Sequence, residues 1–315
     1  MSSTTGTRTL FHKNTGIVRR LEFVLFRLFC SALQLLSFRG MQRFARTLAD
    51  FSFYVLRIRR KYTLENLRNA FPDKSEKWIR SVARRSQHGL FLSLFEFLYL
   101  DKLSRDEIKQ LVTLSNPEVV EDALRRNRGI IFMTGHFGNW ELLATTTMLH
   151  LNSSGLIIVK KQKNHFTDKM LNDLRIKHTN RIVYMKESVR EIIKTLSNNG
   201  VVAMIADQSA PRDSVYVPFF GRDVATFAGP AYFALRTGAP IIMSVSIRRS
   251  DGGYDAIFEE VKTDDLDDAS KENIKELTAR HTAVLEKYIR QYPDHWLWQH
   301  RRWKHIRSQK VSPPA

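Results

Sequence analysis

The chain has 315 residues, so it can form one large α/β domain with an appendage or two small domains, and with 43% hydrophobic residues it is too apolar for general disorder. Its formal net charge is +18, and its single cysteine, Cys30, excludes an intrachain disulfide and a CxxC redox motif. A reducing environment that faces the cytoplasm fits this cysteine content.

The first 62 residues concentrate positive charge and phenylalanine. They contain twelve Lys or Arg against Glu22 and Asp50, a local charge of +10, together with eight of the twenty phenylalanines. Basic and aromatic side chains in this combination are typical of a surface that meets anionic lipid headgroups. Nucleic acid is the competing anionic partner, and a solvated basic face is a further alternative.

The segment 21–38 predicts a helix with a membrane-facing character. Thirteen of its eighteen positions are apolar, and Arg27, Ser31 and Gln34 fall on one helical face. A free transmembrane helix needs roughly 20 mostly apolar residues, so this segment suits either a short span or a helix lying in the interface. A cleaved signal peptide and a buried core helix remain alternatives, although no clear A-x-A cleavage site follows. We expect residues 1–62 to form retained membrane-anchoring helices.

The remaining chain changes character at Gly129. Residues 63–71 and 75–100 continue the helical periodicity, whereas short β-branched runs alternate with helical stretches after Gly129. The predicted strands are 129–135, 155–161, 181–185, 200–207, 215–220 and 239–247, with an edge strand at 254–261. The predicted helices are 140–150, 166–178, 186–198, 229–237 and 271–291. This order predicts an α/β catalytic domain at 63–310, with a largely parallel central sheet flanked by helices, and a short tail at 311–315.

The segment TGHFGNWE, residues 134–141, follows a predicted strand and opens a predicted helix. Sites in open α/β sheets gather at the carboxyl ends of strands. His136 in the turn and Glu141 in the first helical turn would let the carboxylate reach back to the imidazole, fix its tautomer and make it a general base. The H-x4-E spacing alone is weak, and a helix-capping histidine with an incidental glutamate is the alternative.

Several separate blocks make the pattern more specific. HFGNWE resembles the H-x4-D/E signature of the lipid A biosynthesis (lauroyl/myristoyl) acyltransferases, in the lysophospholipid acyltransferase superfamily. Similar blocks lie at 66–76 (NLRNAFPDKSE), 205–240 (from IADQSAPRD to RTGAP) and 292–304 (YPDHWLWQHRRWK). The resemblance therefore extends from about residue 63 to residue 304.

The resemblance implies transfer of an acyl chain from acyl carrier protein to a hydroxyl of a lipid A precursor, as a late acylation at the bacterial inner membrane with the site facing the cytoplasm. His136 would be the base and Glu141 would orient it. Backbone N–H groups near 138–140 would stabilise the oxyanion. The expected partners are acyl carrier protein, anionic membrane lipids and the glycolipid acceptor, with no nucleic acid, no metal and no cofactor beyond the acyl thioester.

Further substrate-binding candidates come from the same resemblance. Lys160 takes a position where the family commonly has arginine, so it offers a point charge without bidentate geometry. The predicted contacts to phosphate, oxyanion or carrier protein are Asn139, Lys160, Asn164, Arg175, Asp207, Gln208 and Arg301. Asp207 and Gln208 end a strand and would hold the basic site in register, or else cap the next segment. Arg301 and Arg302 would either grip phosphates or form a solvated rim over packed tryptophans.

Other functions remain as alternatives. A glycolipid acyltransferase of the phosphoinositide mannoside type, or a lysophospholipid acyltransferase, would use the same chemistry with acyl-CoA. A hydrolase lacks a G-x-S-x-G elbow, and a zinc site lacks H-E-x-x-H. A basic protein that binds membranes or nucleic acid without catalysis is the alternative from a different class.

Overall fold

The computed structural model describes residues 5–178 and 180–307, with side chains described from residue 16 onward. The predicted tail at 311–315 and the end of the predicted catalytic domain, 308–310, lie outside the described residues.

The N-terminal third is helical, as predicted. It comprises α1 (Thr5–Gln34), α2 (Phe38–Phe51), a short π-helical turn, α3 (Arg60–Ala70) and α4 (Glu76–Tyr99). Ser37 and Ser75 begin α2 and α4 because their hydroxyls accept backbone N–H groups of the first turn. Across the described ranges, no helix combines the length and apolar composition needed to cross a bilayer.

The rest of the chain alternates helices and strands. The strands are β1 (Val112–Leu114), β2 (Ile130–Thr134), β3 (Gly155–Val159), β4 (Arg181–Tyr184), β5 (Val201–Ile205), β6 (Val215–Phe219), β7 (Arg222–Thr226), β8 (Ile241–Arg248) and β9 (Tyr254–Glu260). The helices are α5 (Arg105–Leu111), α6 (Glu118–Arg125), α7 (Trp140–His150), α8 (His165–Ile176), α9 (Ser188–Ser197), α10 (Gly229–Thr237) and α11 (Lys271–Gln291).

Seven strands form one sheet in the order β1-β9-β8-β2-β5-β3-β4. The five strands from β8 to β4 are parallel, while β9 runs antiparallel to β8 and β1 is parallel to β9. The predicted α/β fold with a largely parallel sheet is therefore confirmed. The predicted edge strand at 254–261 is wrong in one respect, because β1 pairs with β9 on its outer side. The sequence pattern did not indicate α5, β1 or α6.

The predicted strand at 215–220 does not join the main sheet. It forms β6, which pairs with β7 in an antiparallel hairpin. Phe220 and Gly221 make the two-residue turn with φ of 50° and 72°. Two successive residues with positive φ are the signature of a type I′ turn, which matches the twist of a hairpin.

Helices cover both faces of the sheet, which explains the nearly continuous apolar strands. Along β2, Ile131 and Met133 pack in a core shared with α9, α10 and α11. Ile130 and Phe132 point the other way, into a core shared with α7 and with residues of α1 and α2 such as Cys30 and Met41.

Candidate active site

Two neighbouring strand ends bring His136 and Asp207 together. In the β2–β5 pair Thr134 lies opposite Ile205, and each candidate residue follows two positions later. Because the strands are parallel, their carboxyl ends open at the same edge of the sheet, where sites of α/β proteins form. Strand register thus brings together two side chains that are 71 positions apart in the sequence.

Asp207 is the carboxylate that orients the imidazole. Its Oδ1 lies 2.7 Å from His136 Nδ1, and its Oδ2 accepts the backbone N–H of His136 at 2.7 Å. Trp296 donates its indole N–H to the same Oδ2 at 2.8 Å. A carboxylate on Nδ1 keeps the ring proton there and leaves Nε2 as the basic nitrogen.

The electrostatics of this pair favour an ionised carboxylate beside a basic histidine. Burial would raise the pKa of Asp207, but the charge of His136 and the hydrogen bonds to Asp207 outweigh burial and lower the pKa. Burial would likewise lower the pKa of His136, yet the charge and hydrogen bond of Asp207, with a smaller contribution from Glu141, raise the pKa. Nε2 therefore has the basicity that a general base requires.

Nε2 of His136 is the ring nitrogen that Asp207 does not contact. The side chain of His136 is 21% exposed, whereas that of Asp207 is 3% exposed. Gln208 Nε2 lies 3.3 Å from His136 Nε2, so the predicted site residue Gln208 does border the base. The ring of Trp140 packs on the imidazole with 4.9 Å between centroids.

The predicted contact between Glu141 and the imidazole is wrong. Glu141 instead accepts a bidentate ion pair from Arg175, with Nε to Oε2 at 2.9 Å and Nη2 to Oε1 at 2.5 Å. The helix α7 begins at Trp140, so Glu141 in its first turn points towards α8, which carries Arg175. Glu141 affects His136 through its charge, and Arg175 is mostly buried in this pair.

Asn139 and Asn164, predicted to bind substrate, cap helices in the structure. Asn139 is fully buried; its Oδ1 accepts the N–H of Leu142, and its Nδ2 donates to Glu96 at 2.8 Å. Asn164 caps α8, and its Nδ2 donates to the carbonyl of Arg19 in α1 at 2.8 Å. Both side chains therefore use their polar groups in hydrogen bonds to other parts of the chain, Asn139 in the interior and Asn164 at the surface.

The basic candidates have different environments. Lys160 follows β3, is exposed, and has no ion-pair partner within the described ranges. Arg301 is exposed and lies over the ring of Tyr62, 4.8 Å from its centroid. Arg302 is only 1% exposed and donates to the Ala225 carbonyl and the Thr226 hydroxyl, so it is structural. Burial lowers the pKa of Arg302 to about 10.

The backbone of the turn is held rigidly by distant segments. The N–H of Gly138 donates to the carbonyl of His295 at 2.8 Å, and the N–H of Asn139 donates to Ser246 Oγ at 2.8 Å. Because both donors are already used, the prediction that backbone N–H groups near 138–140 stabilise the oxyanion is wrong for Gly138 and Asn139, and it stays a prediction for Trp140. Gly138 has a φ of 58°, and a Cβ there would lie 1.8 Å from the Ser246 carbonyl. This position therefore requires glycine.

Sequence reasoning missed Trp296 as a partner of Asp207 and Glu96 as a partner of Asn139. Trp296 belongs to the C-terminal block, and its backbone pairs with Phe137 in an isolated antiparallel bridge. A signal was present in both cases, since an indole N–H and a glutamate inside apolar stretches each need a buried partner. The sequence does not say which partner that is.

The chain is similar in sequence to several known proteins. The chain is similar to a lipid A biosynthesis lauroyltransferase of Escherichia coli, with 27% identity over 254 residues, covering 78% of this chain and 79% of the relative. It is 25% identical to a lipid A biosynthesis acyltransferase of Haemophilus influenzae over 76% of this chain and 75% of the relative. A lipid A biosynthesis palmitoleoyltransferase of E. coli is 23% identical over 79% of this chain and 80% of the relative.

A family model covers nearly the whole described chain. It is the model of the bacterial lipid A biosynthesis acyltransferases, and it matches residues 9–305. The match includes the His136 turn, Asp207 and the segment that carries Trp296. The chain therefore belongs to the bacterial lipid A biosynthesis acyltransferase family, and it is an acyltransferase.

Proposed function

We propose that this enzyme transfers a fatty acyl chain from acyl carrier protein to a hydroxyl of a lipid A precursor, as a late acylation at the cytoplasmic face of the bacterial inner membrane. The observation that carries the proposal is the His136–Asp207 pair, in which the carboxylate binds Nδ1 and leaves Nε2 as the basic nitrogen of a side chain that is 21% exposed. The family membership supports a lipid A-type acceptor.

In the proposed reaction His136 acts as the general base. Its Nε2 takes the proton of the acceptor hydroxyl, and the oxygen attacks the thioester carbonyl to form a tetrahedral oxyanion. Collapse of this intermediate forms the ester and breaks the C–S bond. The leaving thiolate, with a free-thiol pKa of about 8.5, needs little assistance, and the imidazolium returns the proton to it. Asp207 stabilises the imidazolium while it exists.

We assign Glu141 a supporting role in this reaction. It holds Arg175 in a bidentate pair that lies over the ring of Phe97, and its charge adds to that of Asp207 at the imidazole. Removing Glu141 would leave a mostly buried guanidinium without its partner, which is costly. Glu141 therefore matters for the environment of the base even though it does not touch the ring.

Helix α1 supports membrane association. One face of it exposes large apolar side chains, namely Ile17, Val18, Leu21, Val24, Leu25 and Leu28, and the exposed Leu35 and Leu36 follow directly after the helix. Leu28 is 62% exposed, and Arg27, Ser31 and Gln34 lie beside this face. A contiguous exposed apolar face next to basic residues is typical of a helix in the membrane interface, and we propose that placement for α1.

The membrane proposal is tested by flotation with vesicles that contain anionic lipid. Burial of a leucine contributes about 1.5–3 kcal/mol, so Leu28→Glu should weaken vesicle binding roughly tenfold or more. The matched control is Gln110→Glu, which adds the same charge to an exposed position of α5. Equal vesicle binding by both variants would contradict the proposed placement.

The reaction is tested by mass spectrometry of lipid products made by the purified enzyme. With acyl-loaded carrier protein and a lipid A precursor, the product should gain one acyl chain. His136→Ala should abolish this gain, and Glu141→Ala should reduce it. Full activity of His136→Ala would refute the mechanism, and a strong preference for acyl-CoA would refute the proposed donor.

A further inference from the structure

The turn between α2 and α3 exposes a cluster of large apolar side chains. A five-residue π-helix, Ser52–Leu56, follows directly on α2, and three more residues lead into α3. We name residues 51–61 the tip segment. Its exposed large apolar side chains are Phe51, Tyr54, Val55, Leu56 and Ile58, of which Val55 is 61% exposed. Clusters of this kind are uncommon on soluble proteins and mark contact with another surface.

The tip segment stands on a well-packed base. Ser52 and Phe53 are each 2% exposed, and Phe53 packs into the core shared with α9, α10 and α11. The hydroxyl of Ser52 accepts a hydrogen bond from Gln87 of α4 at 3.0 Å. The carbonyl of Ser52 accepts the N–H of Ile58 at 3.1 Å. The exposed apolar side chains are therefore fixed in their position by the protein interior.

The backbone of the tip segment is strained at two arginines. Arg57 and Arg59 have φ of 53° and 58°, a left-handed conformation that residues other than glycine rarely adopt. Such conformations persist where the surrounding structure imposes them, and they cluster at ligand-binding sites. Short π-helical turns are likewise frequent at functional sites. Here the two strained residues flank Ile58, and all three side chains are exposed.

The apolar side chains stand beside a concentration of positive charge. Residues 51–61 contain four cations, Arg57, Arg59, Arg60 and Lys61, and no carboxylate. Within the described part of the chain, Lys61 lies 3.9 Å from Glu65, and the three arginines form no ion pair. Arginine binds phosphate oxygens well. An open groove of about 520 Å³ beside the tip has room for a phosphate group and is lined by Arg57, Arg60, Lys61, Leu64, Glu65 and Arg68.

The tip segment lies beside the active site. The guanidinium groups of Arg59 and Arg301 both lie over the ring of Tyr62, 5.7 and 4.8 Å from its centroid. His300, next to Arg301, has a pKa that burial lowers, and the charges of His136 and Arg59 lower it further. The catalytic base and the tip segment are therefore both within electrostatic range of one histidine.

Exposed apolar side chains also connect the tip segment with α1. Phe44 and Phe51 are both exposed and lie seven positions apart, so they share one face of α2. Leu35 and Leu36, between α1 and α2, are exposed as well. The 14 residues of α2 span about 21 Å. An apolar surface that recurs over this length favours an extended partner such as a bilayer over a compact protein.

We propose that the tip segment is a second bilayer-binding element, separate from α1, and that it places the active site at the lipid surface. Its apolar side chains enter the acyl region, and its arginines bind anionic headgroups. Nucleic acid would match the charge and leave the aliphatic side chains exposed. Bilayer binding is independent of the reaction, whereas delivery of a lipid acceptor to the site rests on the proposed acyl transfer.

Insertion is tested with an environment-sensitive fluorophore attached to Val55→Cys in the full-length protein. Cys30 is the single native cysteine and is buried, so the label attaches at the new position. Vesicles of phosphatidylethanolamine and phosphatidylglycerol should shift its emission to the blue, and nitroxides on the lipid acyl chains should quench it. The matched control is Val189→Cys in α9, where the native valine is 56% exposed, and its label should show neither effect.

Headgroup binding is tested by flotation with the same vesicles. A basic residue at an anionic bilayer contributes about fivefold in affinity, so the double variant Arg57→Gln/Arg60→Gln should bind roughly 25-fold less tightly at low salt. Vesicles of pure phosphatidylcholine should show no such difference. The control is Lys271→Gln, which removes an exposed charge at the start of α11 and should bind like the wild type.

Delivery of the acceptor is tested with Leu56→Glu. Transfer of an acyl chain to an acceptor embedded in the anionic vesicles should fall at least about tenfold, because a charge replaces a side chain that enters the lipid. Gln110→Glu is again the control and should transfer like the wild type. Thermal unfolding of both variants should match that of the wild type, since both positions are exposed.

The outcomes separate this inference from the proposed function. Equal quenching at positions 55 and 189 would overturn the insertion of the tip segment and leave acyl transfer standing. Self-association or carrier-protein binding that Leu56→Glu abolishes, with vesicle binding unchanged, would identify a different partner and also overturn it. Undiminished transfer by Leu56→Glu would overturn the delivery of the acceptor. Insertion by a wild type that transfers no acyl chain would overturn the proposed function alone.

Discussion

Replacing Asp207 by asparagine tests the orientation of the base more directly than any change at Glu141. The carboxylate accepts three donors: His136 Nδ1–H on Oδ1, and the His136 backbone N–H and Trp296 Nε1–H on Oδ2. Asparagine supplies one carbonyl oxygen and one NH₂ group in their place. Its oxygen can satisfy the two donors at the Oδ2 position only if its NH₂ faces Nδ1 of the ring.

The arrangement with the asparagine NH₂ facing Nδ1 of His136 should prevail in the Asp207→Asn variant. The opposite one would set two buried donors against an NH₂ group, at a cost of about 1–3 kcal/mol for each unsatisfied group. With NH₂ facing Nδ1, the ring proton moves to Nε2, and the base loses its lone pair towards the substrate. Together with the lost stabilisation of the imidazolium, this predicts a fall in kcat of about a thousandfold to ten-thousandfold.

The assay is acyl transfer measured as a function of pH. Because Asp207 raises the pKa of His136, loss of the carboxylate should lower this pKa. The acid limb of the pH profile of kcat/KM, measured on the residual activity, should then move to lower pH. Asp213→Asn, at an exposed carboxylate, is the control and should change neither quantity. If Asp207→Asn stayed within tenfold of the wild type while Glu141→Gln lost more and shifted the pH profile further, the assignment of Asp207 as the orienting group would be refuted.

Three further predictions concern stability. Gly138→Ala should unfold at clearly lower temperature than Gly221→Ala, since both positions have positive φ but only the former brings a Cβ to 1.8 Å from the Ser246 carbonyl; equal Tm values would contradict the steric argument. Burial lowers the pKa of His281 to about 3, below an unfolded value of about 6.5. The stability that the neutral His281 side chain contributes is therefore fully present above pH 6.5 and is lost as pH falls towards 3. In urea titrations, the free energy of unfolding of His281→Leu should fall less with decreasing pH than that of the wild type, by up to about 1.4 kcal/mol per pH unit. Ser104→Ala should cost about 1 kcal/mol in the same titrations, because it removes a complete capping box on α5.

The sequence predicts the elements of the site better than their pairing. The apolar run before His136 and the one before Asp207 are both recognisable as strands, and both candidate residues follow the strand ends. Which strands are neighbours is set by packing across the whole sheet, so the proximity of His136 and Asp207 cannot be derived from local pattern. Glu141 is close in sequence to His136, and this nearness favoured the wrong pairing.

Helix geometry explains why Glu141 fails to reach the ring. Asn139 caps α7, so the first helical residue is Trp140, and its ring packs on the imidazole with 4.9 Å between centroids. Glu141 comes next in the helix, about 100° further around the axis. The carboxylate therefore meets Arg175, and the H-x4-E spacing joins the histidine that Asp207 holds to a glutamate that pairs with an arginine.

The catalytic turn is held by segments from all parts of the chain, and this explains how one histidine can be placed accurately. Glu96 of α4 is 1% exposed and accepts hydrogen bonds from Gln42 of α2, from Arg248 and Tyr254 at the edge of the sheet, and from Asn139. One buried carboxylate thus joins the N-terminal helices to the cap of α7.

The C-terminal segment holds the other side of the turn through Trp296 and the carbonyl of His295. A charge inside the protein is tolerated when it is paired and fully hydrogen-bonded, and both Glu96 and Asp207 meet that condition. In the proposed reaction these contacts exist before any substrate binds, so His136 would need no rearrangement when the hydroxyl arrives, and such preorganisation lowers the barrier to proton transfer. The two buried carboxylates thus have different structural roles: Glu96 fixes the backbone that carries His136, and Asp207 fixes the orientation of the imidazole ring.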